Sequence, residues 1–253
     1  MAPALSMNNL IKPDSYAFPA RTGTSLANVS IPKGCAASLR KTAIHGHGGA
    51  RNRANRTSDS LTSAQCRKVT KAAKAALETG RAFNRFITVH WESAGVVDCD
   101  AMAATTAFLK VFREWAGGAT YVWTRENGDS KGSHLHVLAH IPAGKQWHAA
   151  PARRWLERLT GNPYRRGVIL TRQIRGARNP DSLLYSENLS AVLAYVLKGA
   201  SPDTASAIGI AHEAGGRIIG KRCGTSRNIA ERKPVTAAND ICQLYFDTIT
   251  RAR

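Results

Sequence analysis

His134 and His136 flank Leu135 in a run of strand-favouring residues that continues through Val137-Leu138-Ala139-His140. Side chains alternate between faces along a strand, so both imidazoles point one way and Leu135 points the other. Two neutral imidazoles so placed can share a divalent metal ion. Two ligands seldom complete a site. If residues 127–133 form a loop between antiparallel strands, Glu126 falls opposite His134, and directly opposed residues share a face. Two nitrogens and a carboxylate with open positions suit a catalytic ion such as Mn²⁺ or Mg²⁺ better than structural zinc. Glu92 is the competing third ligand. His45-Gly46-His47 repeats the spacing, but it sits among glycines with no carboxylate nearby and is set aside.

Tyr195 and Lys198 form a second constellation, Tyr195-Val196-Leu197-Lys198. At i and i+3 they share one face of a helix. Counting about 100° per residue, both point away from the Leu189, Val192 and Val196 stripe. The core does not need Tyr195, so its phenol is available for a reaction. A phenol has an ordinary pKa of about 10. A nearby ammonium and a metal-bound phosphate would favour the phenolate, and a phenolate can attack phosphorus.

The elements that must position these residues are legible from periodicity and stop signals. Residues 61–79 read as a helix closed by Gly80, and Phe86–Trp91 as a strand. Residues 100–115 return to helical spacing and end at Gly117-Gly118. Tyr121–Arg125 and His134–Ile141 are strands, 146–160 a helix, and Gly167–Ile174 a fourth strand. Residues 188–198 form a helix with Gly199 as its capping glycine, and Tyr185 lies before it. A short helix at 203–213, a glycine-rich basic stretch and a last helix at 238–250 complete the chain. The order predicts an α+β fold, with a small antiparallel sheet of about four to five strands flanked by helices.

Composition bounds the partners. The chain has 253 residues, with 36 Lys and Arg against 17 Asp and Glu, a formal net charge of +19. Such an excess favours a polyanion, because each cation set against a phosphate releases condensed counterions. Between Ile141 and Pro180 the only acid is Glu157. Arg165, Arg166, Arg172 and Arg175 in that stretch, with Lys221 and Arg222 further on, are candidate DNA contacts. Residues 1–60 lack periodicity and are basic, with Asp14 the sole acid before Asp59, and are expected to form a mostly disordered arm. Residues 61–253 would form one catalytic domain with a basic C-terminal extension. Five scattered cysteines without a CxxC pair suggest reduced thiols and a cytoplasmic protein. No apolar run approaches the length of a membrane span, and the N-terminus lacks the features of a signal peptide. Neither GxxxxGK[ST] nor GxGxxG occurs, so no nucleotide-hydrolysing module is expected.

Three motifs together resemble the HUH endonucleases, in particular the initiators of rolling-circle replication in plasmids and phages. Phe86-Ile87-Thr88-Val89 is similar to the family's first motif. His134-Leu135-His136 is similar to its second, and Tyr195 to Lys198 to its third. The resemblance spans about residues 81–225 and is of the single-tyrosine type. His90-Trp91, at the end of the first motif, have no counterpart reading. The resemblance implies an RRM-like palm and a metal held by His134, His136 and Glu126. It implies attack by Tyr195 on single-stranded DNA or an origin hairpin, a 5′-phosphotyrosine intermediate, and Lys198 beside a phosphate oxygen. A separate helicase would then be a partner. A relaxase or a single-tyrosine transposase would share this chemistry. A non-catalytic nucleic-acid-binding protein with a structural metal site, or a metal nuclease using water, would share only parts of it.

Overall fold

The computed structural model describes residues 56–128 and 132–230. The chain divides into two units, Met1–Asn52 and Arg53–Arg253, and every described residue lies in the second. The arm up to residue 55, His45-Gly46-His47 and the expected helix at 238–250 fall outside the described residues.

The fold is α+β, as the pattern predicts. Strand β1 is Thr57–Ser58. Helix α1 (Ser63–Glu78) follows, opened by a capping box in which Thr62 and Gln65 satisfy each other's backbone N–H. Strand β2 is Arg85–His90. Helix α2 (Asp98–Ala116) carries Asp98 and Asp100 at its positive end, and Gly117 closes it at φ 68°. Strands β3 (Thr120–Gly128) and β4 (Gly132–His140) form the expected hairpin, with longer arms than the predicted loop allowed. Helix α3 (Ala149–Thr160), strand β5 (Ile169–Gln173) and helix α4 (Leu183–Leu197) come next, then helix α5 (Pro202–Ala207) and the short strands β6 (Ile218–Ile219) and β7 (Cys223–Thr225).

The main sheet has five antiparallel strands in the order β5-β2-β4-β3-β7. Leu135, Val137 and Ala139 point to one face, where Phe108, Phe112, Trp155 and Leu156 of α2 and α3 cover them. Burying those side chains provides the main apolar drive of the domain. Trp91 belongs to this core. It is fully buried and its indole N–H donates to Thr105 Oγ1 at 3.1 Å. The opposite face carries the even-numbered residues of β4 and is covered by α1 and α4. The backbone N–H of Leu61 donates to Gly199 O at 2.8 Å, and that of Ser201 to Leu61 O at 3.1 Å, which ties the start of α1 to the end of α4.

Three local readings change. Helix α4 starts at Leu183, so Tyr185 is inside it; that side chain is fully buried and its hydroxyl donates to Phe83 O at 3.0 Å. Gly199 is not a left-handed cap. The helix ends at Lys198 in the αR region, and a Cβ at Gly199 would meet its neighbours in ordinary van der Waals contact, 3.4 Å from Gly215 Cα and 3.6 Å from Glu126 Oε1. The helix expected at 203–213 is shorter, because Pro202 starts it and the chain leaves it at Ile208. The pairing of β1 with β6 joins segments far apart in sequence and has no local signature.

Burial also fixes the thiol chemistry. It pushes the Cys66 thiol up to about 12 and raises Cys223, whereas Cys99 is exposed. Alkylation of the native chain near pH 8 is therefore expected to label Cys99 and spare Cys66 and Cys223, which peptide mapping by mass spectrometry reads directly.

Candidate functional site

Two cross-strand rows build the site on the face away from the aromatic core. In the first, Glu126 of β3 pairs with His134 of β4, which pairs with His90 of β2. In the second, Thr124, His136 and Thr88 stand side by side. The predicted register of Glu126 against His134 is the observed one. Glu126, His134 and His136 are all buried, and one ligand atom from each lies within 4.8 Å of the others. Glu92, the competing ligand, is exposed and stands outside this group.

The hydrogen bonds prepare both imidazoles for one task. His134 Nδ1 lies 2.9 Å from the carbonyl oxygen of Gly132, which can only accept, so Nδ1 carries the proton and donates. In the neutral ring the Nε2 lone pair then faces Glu126 Oε2 at 3.1 Å. Two lone pairs that close need a cation between them, a proton or a metal ion. His136 Nδ1 is held by Thr88 Oγ1 at 3.0 Å, which leaves its Nε2 turned to Glu126 Oε2 at 3.7 Å. His136 Nε2 and Glu126 Oε1 are buried without a hydrogen-bond partner. A buried polar atom without a partner costs about 1–3 kcal/mol, and a metal ion bound at this point would relieve both. The residues present therefore fit a metal ion, with Gly132 O and Thr88 as the groups that orient the ligands. Thr88 belongs to the first motif, Phe86-Ile87-Thr88-Val89, which carried no role for it, and Gly132 has no motif. The sheet register supplies that role, setting Thr88 against His136 on the strand face it shares with His90.

The electrostatics agree. Burial alone would raise the Glu126 carboxyl, but the hydrogen bond with His134 and the nearness of both imidazoles outweigh it and hold it below the usual carboxylate range. Burial pushes the His136 imidazole down to about 4 against the pull of the Glu126 carboxylate, which keeps the ring neutral at physiological pH. The folded state thus binds fewer protons than the unfolded chain between the two pKa values of His136, about 4 and 6.5. Its stabilising contribution is whole above 6.5, is lost as pH falls towards 4, and is of order 3 kcal/mol. The depressed Glu126 acts in the same direction at lower pH. Thermal melts of metal-free protein should show a falling Tm from pH 7 to 4.5; a flat profile would contradict this site.

Helix α4 brings the second constellation onto the same face. The Tyr195 ring stands edge-on to His136, with centroids 5.3 Å apart, and to Phe86 at 5.8 Å. Tyr195 is partly exposed, as the helical geometry predicts. Lys198 Nζ sits 4.8 Å from the centre of the Tyr195 ring, 3.5 Å from Glu126 Oε2 and 2.8 Å from Glu213 Oε1. Lys198 is buried and bridges two carboxylates, one at the metal group and one largely exposed. Glu213 carries no motif and was not anticipated. His90 finds its reading here too: it stacks on His134 with centroids 5.5 Å apart.

The expected DNA contacts divide. Arg172 is exposed and pairs in register with Phe86, on the sheet face that carries Tyr195 and His136. Arg165 and Arg166 are exposed in the loop before β5, and Arg175 is exposed after it. Lys221 is exposed beside β7, at the other edge of the sheet. Arg222 is the correction. It is 1% exposed, and its guanidinium donates to Gly215 O at 3.3 Å, Gly216 O at 2.5 Å, Ser58 Oγ at 3.1 Å and Ser58 O. It clamps β1 and the 215–216 turn with four of its five N–H donors, and its burial keeps it from a phosphate. Sequence shows a basic residue; only the fold shows that its fork is turned inward onto backbone carbonyls.

No helix among the described residues is long and apolar enough to cross a membrane. Compared with known protein families, curated proteins and solved structures, the chain matches none.

Proposed function

We propose that the chain is a metal-dependent, site-specific DNA nickase and ligase of the HUH type, acting on single-stranded DNA through a 5′-phosphotyrosine intermediate. The observation that carries the reading is the meeting of Tyr195 with the Glu126, His134 and His136 group on one sheet face, from a helix more than fifty residues away in sequence. A structural metal site has no need of a partly exposed phenol beside its ligands.

His134, His136 and Glu126 would hold Mn²⁺ or Mg²⁺, which when bound supplies Lewis-acid polarisation of the scissile phosphate. Tyr195 Oη attacks phosphorus; the Tyr195 O–P bond forms as the P–O3′ bond breaks. The phenol gives up its proton to solvent and the 3′ oxygen takes one back. The phosphodiester is exchanged rather than hydrolysed, so rejoining needs no nucleotide. Lys198 favours the phenolate through its charge and holds Glu126 in place. On substrate binding it has a phosphate oxygen within reach while Glu213 keeps its other contact. Arg172, beside Phe86, would hold the strand entering Tyr195. Initiation of rolling-circle replication, with a separate helicase to part the strands, is the biological role that the motif order favours; transfer or transposition would use the same chemistry.

The test is a denaturing gel of the protein incubated with labelled single-stranded DNA and Mn²⁺. A covalent band that shifts with the protein and disappears under protease supports the reading. Nicking without a covalent band would assign the attack to water, and binding without cleavage would leave a non-catalytic DNA-binding protein.

A further inference from the structure

The outer edge of β7 opens into a cleft of about 950 Å³ that takes no part in the chemistry above. Helix α1 forms one wall and α2 the other, and the turn from β6 into β7 forms the floor. None of Glu126, His134, His136, Tyr195 or Lys198 lines it. Arg56, Lys68, Lys110, Arg113 and Lys221 all line it and are all exposed, and no carboxylate among the described residues does. Among the described residues β7 pairs on one side only, so the backbone N–H groups of Cys223 and Thr225, both residues of the cleft lining, point away from β3.

We propose that this cleft is a second DNA site, which grips the phosphate backbone of a duplex stem without reading its bases. The proposal rests on the reading that the chain acts on DNA, but not on the chemistry at Tyr195. Cations converging from two helices and a strand edge, with no acid among them, leave a field that only a polyanion relieves. Each contact made releases counterions, and contacts of this type set register rather than sequence. The aromatic side chains of the cleft decide between duplex and single strand. Single-strand binders offer exposed ring faces for bases to stack on. Here Tyr121 and Trp123 are each only 7% exposed, and the Trp123 indole lies against Gly224, where a Cβ would come within 2.7 Å of the ring. The floor therefore offers no stacking platform, whereas a duplex keeps its bases stacked internally and presents phosphate alone.

The experiment is fluorescence anisotropy of a labelled hairpin duplex across a salt series, with chelator present so that metal-dependent cleavage cannot enter the result. Lys68→Gln with Lys110→Gln removes one cation from each wall, and both side chains are exposed, so the fold is kept. This pair is expected to weaken binding about tenfold and to make the salt slope shallower by about 1.8, near 0.9 for each lost phosphate contact. Arg154→Gln with Arg158→Gln makes the same charge change on exposed positions of α3 and should leave affinity within about twofold. Equal weakening by the two pairs would show that only net charge matters and would overturn the cleft. No weakening by the Lys68 and Lys110 pair would overturn it as well. An oligothymidine that binds more tightly than the hairpin, and loses as much in that variant, would overturn the duplex assignment.

Discussion

Tyr195→Phe is expected to abolish the covalent protein–DNA adduct and to lower strand cleavage at least about a thousandfold, with metal affinity unchanged. The separation follows from the geometry. The Tyr195 ring packs edge-on against His136 and Phe86, and phenylalanine keeps that ring, so packing and stability are preserved. Only the oxygen goes, and the metal group does not include it. Tyr185→Phe on the same helix is the matched control. Its hydroxyl is bonded to Phe83 O inside the core, so its loss should cost about 1 kcal/mol of stability and leave the adduct intact. Two tyrosines ten residues apart on α4 thus have opposite signatures, one chemical and one structural. An adduct that survives Tyr195→Phe would sink the nucleophile assignment.

The second large effect is on the metal itself. Glu126→Gln keeps the shape of the side chain but removes the only anionic ligand, and Mn²⁺ affinity by calorimetry should fall at least about a hundredfold. Thr88→Ala should cost less, about tenfold, because it frees the His136 ring to turn without removing a ligand. The metal-free protein carries an independent readout. Glu126→Gln strips the buried Lys198 of one of its two carboxylates, leaving Glu213 alone, and melting should report a loss of about 2 kcal/mol. Were Thr88→Ala as damaging as Glu126→Gln, the carboxylate would not be a ligand and Thr88 would be doing more than orienting a ring.

What sequence made legible follows from what is local. The histidine pair, its strand and the register that sets Glu126 against His134 depend on a period of two and one hairpin, both of which lie within a short window. Tyr195 and Lys198 are placed by a helical period in the same way. What sequence hid depends on distant partners. Nothing near Arg222 reveals that Ser58 and Gly216 occupy its donors. Gly199 has the look of a helix cap because cap glycines are common, yet the helix ends at Lys198 in the αR region and Gly199 takes no left-handed turn. Tyr185 was misplaced because the exposed Leu183 and Leu184 in the first turn of α4 blur the apolar stripe that would have extended the helix. His90 and Trp91 adjoin in sequence and face opposite sides of the sheet, so one belongs to the metal group's surroundings and the other to the core.

The Arg222 clamp on β1 has a consequence for the rim of the basic cleft. Ser58 is held by Arg222, and the backbone N–H of Gly220 donates to Arg56 O at 2.8 Å, so the backbone that carries Arg56 is fastened to the same turn that carries Lys221. Two cations of the rim therefore stand on one framework, and setting them against a phosphate costs side-chain freedom but no ordering of the backbone beneath them.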